Sequence, residues 1–216
     1  MGINSPFFYL LLFSAGYLLL IFLCEYLNRK WHISPEYTRK AAHMISTLSA
    51  LFFPYIFNDY RHVLGLSVFY FIVLFISRRV HVFNSIEGVE RRTGGSYLLA
   101  LAIGIIYYLS IKNKDTAIYN LPILILAISD TLANIVGKNI ASRKLINNKT
   151  FAGSSAFFLS ALLISITYFL IAGYKHPFES AFLIVTTLTL VELFSPYGID
   201  NFTVPLIACV LMLWLK

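Results

Sequence analysis

The segment from Leu121 to Phe158, LPILILAISDTLANIVGKNIASRKLINNKTFAGSSAFF, decides the fold. It begins as an apolar helix that is long enough to enter a lipid bilayer, and it places Asp130 within that helix. It then passes through a basic loop and returns to the membrane on a run of small residues, Ala152 to Ala156. A charged side chain at the bilayer centre costs roughly 2.5–3.5 kcal/mol on insertion scales, so such carboxylates usually face a cavity or a partner. Asp130 therefore predicts a polar site inside a membrane-embedded helix bundle.

The composition of the chain indicates a polytopic membrane protein. Of its 216 residues, 58% are hydrophobic and 12% are charged, whereas about a quarter of a soluble domain is charged. Apolar runs recur at close to bilayer length, and no polar block is long enough to form a second domain, so we expect one all-α domain over residues 1–216. Cys24 and Cys209 both lie in apolar runs, which argues against a disulfide framework or a cysteine metal site.

The apolar runs predict eight transmembrane spans. The first is longer than the hydrophobic part of a signal peptide and has no Lys or Arg before it, so we expect it to be retained. Three spans are shorter than the roughly 20 residues that a bilayer core requires, which leaves seven spans as an alternative. In order, the predicted spans are Phe7–Leu27, Ala41–Phe57, Val63–Ser77, Ser96–Ile111, Ala117–Val136, Phe151–Gly173, Phe178–Ser195 and Phe202–Leu215.

The basic residues predict the orientation of the chain. The first, third and fifth connections hold 12 of the 17 Lys and Arg residues. The positive-inside rule therefore places these connections in the cytoplasm and both termini outside. Basic cytoplasmic loops are suited to contact with anionic lipid headgroups, and the sequence contains no recognisable nucleic-acid-binding module.

With this topology, polar residues from four helices meet at the cytoplasmic face. They are Arg39, Lys40 and His43 in the second span, Asp130 and Asn134 in the fifth, Glu192 in the seventh, and Asp200 and Asn201 at the start of the eighth. A random distribution would have scattered them over both faces of the membrane. The sequence therefore predicts one shared site at this face, and we expect anionic or metal-bound ligands because cationic loops flank the carboxylates.

The cationic residues of the second span are suited to phosphate. Arg39 and His43 are four residues apart, on one face of a helix. Arg39 and Lys40 would neutralise phosphate oxygens, and arginine can contact them in a bidentate way. The alternative is that both residues form an ordinary positive-inside flank and that His43 is a buried residue with satisfied hydrogen bonds.

The acidic residues are suited to a metal ion or to proton transfer. Asp130, Asn134 and Lys138 form one polar stripe along the fifth span. Asp130 could hold Mg²⁺ or accept the proton of an attacking hydroxyl, whereas its alternative role is a structural contact between helices. Glu192 and Asp200 supply two more carboxylates, although Asp200 and Asn201 could also serve only to cap the eighth helix.

Two loops are candidates for ligand contact. Lys149 and Gly153 lie at the start of the sixth span, where free backbone N–H groups favour anions. The small residues there would also let the fifth and sixth helices pack closely, and both roles are compatible. Arg92, Gly94 and Gly95 are candidates for a substrate loop, although a plain turn before the fourth span is the favoured interpretation of the glycines.

Four motifs occur in an order that resembles the dolichol kinase and phytol kinase family. They are Arg39-Lys40-x-x-His43, Asp130-x-x-Ala133-x-x-x-Gly137, Lys149-Thr150-Phe151-x-Gly153, and Glu192 followed by Asp200-Asn201-x-x-x-Pro205. The family consists of integral membrane enzymes that phosphorylate long-chain isoprenoid alcohols, typically with CTP and a divalent metal. The resemblance implies a catalytic core over residues 37–216 and a peripheral first span and loop over residues 1–36.

The chain departs from the family pattern at two positions. Phytol kinases tend to have a second acid where this chain has Asn134, and a glycine where it has Ser129. The patterns around Asp130 and Lys149 also resemble CDP-diacylglycerol synthases. Those enzymes usually end in a His-Gly-Gly and Asp-Arg signature, whereas this chain ends in Ser-Pro-Tyr-Gly-Ile-Asp-Asn before its last span, so the kinase interpretation is preferred.

The resemblance implies a kinase that transfers a phosphoryl group from CTP to a lipid alcohol, with Mg²⁺ or another divalent cation as cofactor. It implies that Asp130, Asp200 and Glu192 are catalytic and bind the metal. Contacts to the nucleotide phosphates would come from Arg39, Lys40, His43, Lys138, Lys149, Gly153 and Asn201. The expected partners are thus a lipid alcohol, a nucleoside triphosphate and membrane lipids, without nucleic acid. The alternatives are a CDP-lipid synthase and a non-catalytic lipid carrier.

Overall fold

The computed structural model describes residues 5–80 and 94–215, and within them it is a bundle of α-helices without a β-strand. This confirms the predicted all-α polytopic fold. In chain order the helices are α1 (Pro6–Trp31), α2 (Pro35–Ala50), α3 (Phe53–Ile56), α4 (Tyr60–Val80), α5 (Gly95–Asn113), α6 (Ala117–Asn139), α7 (Phe151–Ile171), α8 (Pro177–Phe194) and α9 (Asp200–Trp214).

Six of these helices are long and apolar enough to cross a membrane, namely α1, α4, α5, α6, α7 and α8. The shorter α9 is also apolar and has 15 residues. Seven of the eight predicted spans therefore coincide with one helix each, with ends that differ by a few residues. The chain is an integral membrane protein that crosses the bilayer several times.

The predicted second span, Ala41–Phe57, differs from the structure. The helix begins earlier, at Pro35, and ends at Ala50, and the short helix α3 follows it. Proline has no backbone N–H to donate and is accommodated in the first turn of a helix, so Pro35 and Pro54 each stand at a helix start. The sequence prediction was wrong here because it treated an apolar run containing Pro54 as continuous.

Helix α6 lies at the centre of the bundle. Most residues of its first half are buried, and it packs against α2, α5, α7 and α9. A π-helical turn from Ile125 to Ser129 interrupts it immediately before Asp130. One extra residue in a helix rotates the residues that follow by roughly 100° relative to a regular α-helix, and such turns often occur at functional sites. The π turn therefore sets the direction in which Asp130 faces.

The first helix contacts the rest of the bundle through hydrogen bonds as well as apolar packing. The hydroxyl groups of Tyr17 in α1 and Ser49 in α2 are 2.9 Å apart, and the Tyr70 hydroxyl of α4 donates to the Ser14 carbonyl at 2.6 Å. The division into a peripheral part, residues 1–36, and a catalytic core, residues 37–216, stays a prediction.

Candidate functional site

A polar cleft of about 890 Å³ opens where the ends of α6 and α8 meet the starts of α2, α7 and α9. It contains nearly all the site residues that the sequence singled out within the described part of the chain. Those on its walls are Arg39, Lys40, Asp130, Asn134, Lys138, Lys149, Gly153, Glu192, Asp200 and Asn201. The polar groups of distant segments thus meet in one place.

Asp130 lies in the inner wall of the cleft, in contact with two basic residues of α2. Lys40 Nζ donates to Asp130 Oδ2 at 2.5 Å, and both side chains are largely buried. His43 Nε2 lies 3.5 Å from the same oxygen and 3.5 Å from the Leu126 carbonyl oxygen. A buried carboxylate needs such partners, because an isolated charge away from water is strongly unfavourable.

His43 is placed differently from the other predicted phosphate-binding residues. Its side chain is buried behind Asp130, and it does not line the polar cleft. Its backbone carbonyl accepts hydrogen bonds from Ser46 at 3.1 Å and from Thr47 at 2.6 Å. This placement agrees with the alternative that His43 is a buried residue, and its contact with Asp130 supports a role in positioning that carboxylate, which the sequence analysis did not predict.

The second charged cluster joins three segments through Lys149. Its ammonium donates to Glu192 Oε1 of α8 and, at 2.8 Å, to Asp200 Oδ2 of α9. Burial lowers the pKa of Lys149, but the two adjacent carboxylates outweigh that effect and hold the pKa above its ordinary value. The other oxygen of Glu192, Oε2, is buried and has no hydrogen-bond partner among the described residues.

A further ion pair lies at the mouth of the cleft, between Lys138 of α6 and Glu36 of α2. Partial burial raises the pKa of Glu36, but the hydrogen bond and charge of Lys138 outweigh it, so the pKa lies below its usual range. The sequence analysis did not identify Glu36. The sequence feature that could have identified Glu36 is its three-residue spacing to Arg39, which places both side chains on one helical face.

Arg39 borders two cavities. Its side chain lines the polar cleft and also an apolar chamber of about 110 Å³ between α1, α2, α4 and α5. The Nε atom of Arg39 is buried without a hydrogen-bond partner in the described part of the chain. Lys40 and Asn201 line both cavities as well, so the chamber and the cleft meet at these three side chains.

Gly153 allows close packing of α6 on α7. A Cβ atom at Gly153 would lie 2.8 Å from the Ala133 carbonyl oxygen, which is closer than real Cβ contacts. The Gly153 N–H donates to the Thr150 side chain at 3.2 Å, so Thr150 caps the start of α7. This supports the packing role foreseen for the small residues, whereas contact of Gly153 with phosphate stays a prediction.

The start of α5 packs on the loop before α9. Asn201 Nδ2 donates to the Gly95 carbonyl at 3.0 Å, and the Gly94 N–H donates to the Tyr197 carbonyl at 2.9 Å. A Cβ at Gly95 would lie 2.5 Å from Asn201 Nδ2, so a side chain there would displace the Asn201 amide from this contact. Arg92, the third residue of the predicted substrate loop, lies outside the described residues.

The predicted metal ligands fall into two groups. Asp130 pairs with Lys40, whereas Glu192 and Asp200 share Lys149. Within residues 5–80 and 94–215, no group of three or more His, Cys, Asp or Glu side chains is arranged to hold a metal ion. Mg²⁺ in nucleotide sites typically takes one or two carboxylates, with phosphate and water as its other ligands. Glu192 and Asp200 fit that requirement, because Glu192 Oε2 has no hydrogen-bond partner among the described residues. Binding of the metal ion by Asp130 stays a prediction.

Comparisons with known proteins do not identify a function for this chain. Over 88 residues the chain is 44% identical to an uncharacterized protein of Rickettsia prowazekii (strain Madrid E). The aligned part is 40% of this chain and 43% of that protein, so it spans less than half of either. No family model matches the chain, and no solved structure matches it.

Proposed function

We propose that the protein is a membrane-embedded kinase that transfers a phosphoryl group from CTP to a lipid alcohol. The observation that carries this proposal is the contact between a charged cleft and an apolar chamber at Arg39, Lys40 and Asn201. A site built in this way suits a reaction between a polar donor and the hydroxyl end of an apolar chain. The four motifs that resemble dolichol and phytol kinases all contribute residues to this region.

The polar cleft has the size that a nucleoside triphosphate requires, and it has cationic side chains on its walls that can contact phosphate oxygens. Its volume of about 890 Å³ lies within the range of roughly 300–1,000 Å³ typical of ligand pockets. Four basic side chains of α2, α6 and the loop before α7 line the cleft, namely Arg39, Lys40, Lys138 and Lys149. Phosphoryl transfer proceeds through a loose transition state, so positioning and charge neutralisation supply most of the catalysis.

The apolar chamber is suited to the first carbons of the lipid alcohol. It is lined mainly by aliphatic and aromatic side chains of α1, α4 and α5, among them Leu66, Tyr70 and Leu99. A chain that lies there presents its hydroxyl toward Lys40 and His43, which both contact Asp130. The acceptor therefore reaches the charged site without leaving the membrane.

In the proposed reaction, the alcohol oxygen attacks the γ-phosphorus of CTP. The bond between that phosphorus and the β,γ-bridging oxygen breaks, CDP leaves, and the proton of the alcohol passes to Asp130. Arg39, Lys40 and Lys149 neutralise the phosphate oxygens. Glu192 and Asp200 would hold a divalent cation, which supplies further neutralisation of the phosphates when it is bound. From the distribution of Lys and Arg, we place this site on the cytoplasmic face and both termini outside.

The test is a transfer assay with purified protein, Mg²⁺, labelled CTP and a panel of isoprenoid alcohols. Label on the lipid from γ-labelled CTP supports the kinase. Lipid phosphates are tested in parallel with α-labelled CTP, and label transferred only in that reaction indicates cytidylyl transfer. The variant Asp130→Asn is expected to lose transfer, and Lys144→Met, which changes an exposed lysine of the α6–α7 loop, is expected to keep it. Lipid binding without turnover of any nucleotide would favour a carrier and overturn the kinase.

A further inference from the structure

The Lys149 ammonium lies between the carboxylates of Glu192 and Asp200. It contacts Glu192 Oε1 and lies 2.8 Å from Asp200 Oδ2, so one cation bridges α8 and α9. The Glu192 side chain is 5% exposed and that of Asp200 is 14% exposed, which leaves little water to neutralise them. The bridge therefore holds the two acids together in the absence of any ligand.

The cluster is not fully satisfied by Lys149. Two carboxylates and one ammonium leave a net charge of about −1, and Glu192 Oε2 is buried without a partner within the described residues. A lysine is a point charge with three donors on a flexible stem, and it cannot supply the several contacts of a divalent cation. The two acids thus have capacity for a cation of higher charge.

The backbone of Lys149 is fixed, whereas its side chain has room to turn. Its N–H donates to the Ile146 carbonyl at 3.0 Å, and its carbonyl accepts from the Leu145 N–H at 2.6 Å. The residue lies immediately before α7 and lines the open cleft. Torsions of the side chain alone can therefore move the ammonium from the carboxylates into the cleft.

We infer that the Lys149 ammonium holds the position of a divalent cation between Glu192 and Asp200, and that it leaves when a polyphosphate offers it another partner. A divalent cation then takes its place, so the cation and the nucleotide bind with positive cooperativity. This coupling is reciprocal, since each ligand raises the affinity of the other by the same factor. The nucleotide half of the inference rests on the proposed function, whereas the exclusion of the cation by Lys149 does not.

The experiment measures Mn²⁺ binding by electron paramagnetic resonance, with and without CTP. In the native protein without CTP we expect weak binding, and at least a 10-fold increase in Mn²⁺ affinity when CTP is added. In Lys149→Met we expect at least 10-fold tighter Mn²⁺ binding without CTP, and little further change with it. Glu192→Gln in the Lys149→Met background is expected to remove that tight binding.

Two controls separate the charge of Lys149 from other effects. Lys144→Met removes an exposed lysine of the same loop and is expected to bind Mn²⁺ like the native protein. If Lys149→Met does not yield folded protein, Lys149→Gln, which removes the charge but keeps a polar side chain, takes its place in the same titration.

Unchanged or weaker Mn²⁺ binding after removal of the Lys149 charge overturns the inference. If that variant binds Mn²⁺ tightly but no transfer assay yields labelled lipid, the inferred cation site is supported. The proposed kinase activity is then overturned. Tight binding in the variant without an effect of CTP on the native protein overturns the coupling, because the cation would then be independent of the nucleotide.

Discussion

Lys40 Nζ lies 2.5 Å from Asp130 Oδ2, so an ion pair joins α2 to the centre of α6. The two side chains are 12% and 9% exposed, which makes this a largely buried pair. Charges buried in this way are retained only with a partner, because the cost of removing them from water is large. The pair therefore links the stability of the helix bundle to the integrity of the candidate site.

Removal of one member of this pair is expected to destabilise the protein. In Lys40→Met, the Asp130 carboxylate stays buried without its main partner, which costs about 3 kcal/mol in the free energy of unfolding. Asp130→Asn in the same protein removes the orphaned charge and is expected to recover at least half of the loss. Unfolding in detergent micelles, followed by circular dichroism, measures both effects.

The control for this series is Lys175→Met, which changes an exposed lysine in the connection between α7 and α8. It is expected to leave the free energy of unfolding within about 0.5 kcal/mol of the native protein. Equal stability of the Lys40→Met and Lys175→Met variants would show that the ion pair contributes nothing measurable to the fold.

Most helices of the fold were predictable because a membrane helix is determined by length and composition. The predicted spans Ala117–Val136 and Phe151–Gly173 begin at the same residues as α6 and α7, since each follows a polar connection. The break after Ala50 was not predicted, because the flanking Phe and Leu residues gave an uninterrupted apolar run. The π turn before Asp130 has no signal in residue type that differs from a regular apolar helix.

The meeting of polar residues in one cleft was predictable from topology, whereas their pairing was not. Alternating spans and basic connections place Asp130, Glu192 and Asp200 at the same end of the bundle. Which lysine approaches which carboxylate depends on side-chain contacts between segments far apart in sequence. Lys40 is 90 residues from Asp130, and Lys149 is 43 residues from Glu192, so no local spacing rule applies to either pair.

The glycine at the α6–α7 contact provides a test of helix packing. Gly153→Ala places a methyl group 2.8 Å from the Ala133 carbonyl oxygen, a backbone atom that moves only with its helix. We expect a loss of about 1–3 kcal/mol in the free energy of unfolding, because the helices must separate. The measurement is the same unfolding titration in micelles.

Gly65→Ala in α4 is the matched control, because nothing lies within 4 Å of a Cβ atom at that position. Alanine favours helix over glycine by roughly 1 kcal/mol, so this variant is expected to be neutral or slightly more stable. If both variants behaved alike, the close approach at Gly153 would not limit the packing of α6 on α7.

The ion pair at the mouth of the cleft predicts a pH dependence of stability. The pKa of Glu36 is lowered from an ordinary value of 4.5, so the stability that it contributes is present above that value. It is lost as the pH falls through the lower pKa of the folded protein. We expect the stability difference between the native protein and Glu36→Gln, less than about 1 kcal/mol for a partly exposed pair, to disappear in acid.

The measurement is the unfolding midpoint of the native protein and of Glu36→Gln from pH 7 down to pH 3. Lys138→Met is the companion variant, since it removes the other half of the pair. The native protein and Lys138→Met are expected to converge over the same acidic interval. A difference that grows toward low pH would have the wrong sign and would exclude Lys138 as the cause.

The size of the apolar chamber predicts which lipid alcohols the protein phosphorylates. The structure of the acceptor near its hydroxyl group is expected to affect the reaction, whereas the length of the rest of the chain is not. An engineered cavity of about 150 Å³ holds one benzene molecule, so a chamber of about 110 Å³ holds only a few carbon atoms. The rest of a long chain must then leave the chamber for the bilayer. We expect acceptors that share their first isoprene unit but differ in length to be phosphorylated with similar kcat/KM, and acceptors altered in that unit to differ.

Ala100→Leu tests this assignment, because Ala100 lines the chamber and three added carbons would occupy much of it. We expect the KM for the lipid alcohol to rise about 10-fold with kcat unchanged, which is the pattern of lost uniform binding. The affinity for CTP is expected to stay unchanged. Ala15→Leu makes the same substitution at an exposed position of α1 and is expected to leave both parameters unaltered. A parallel loss of CTP affinity in Ala100→Leu would mean that the substitution disturbs the charged cleft, and the chamber would then not be a separate acceptor site.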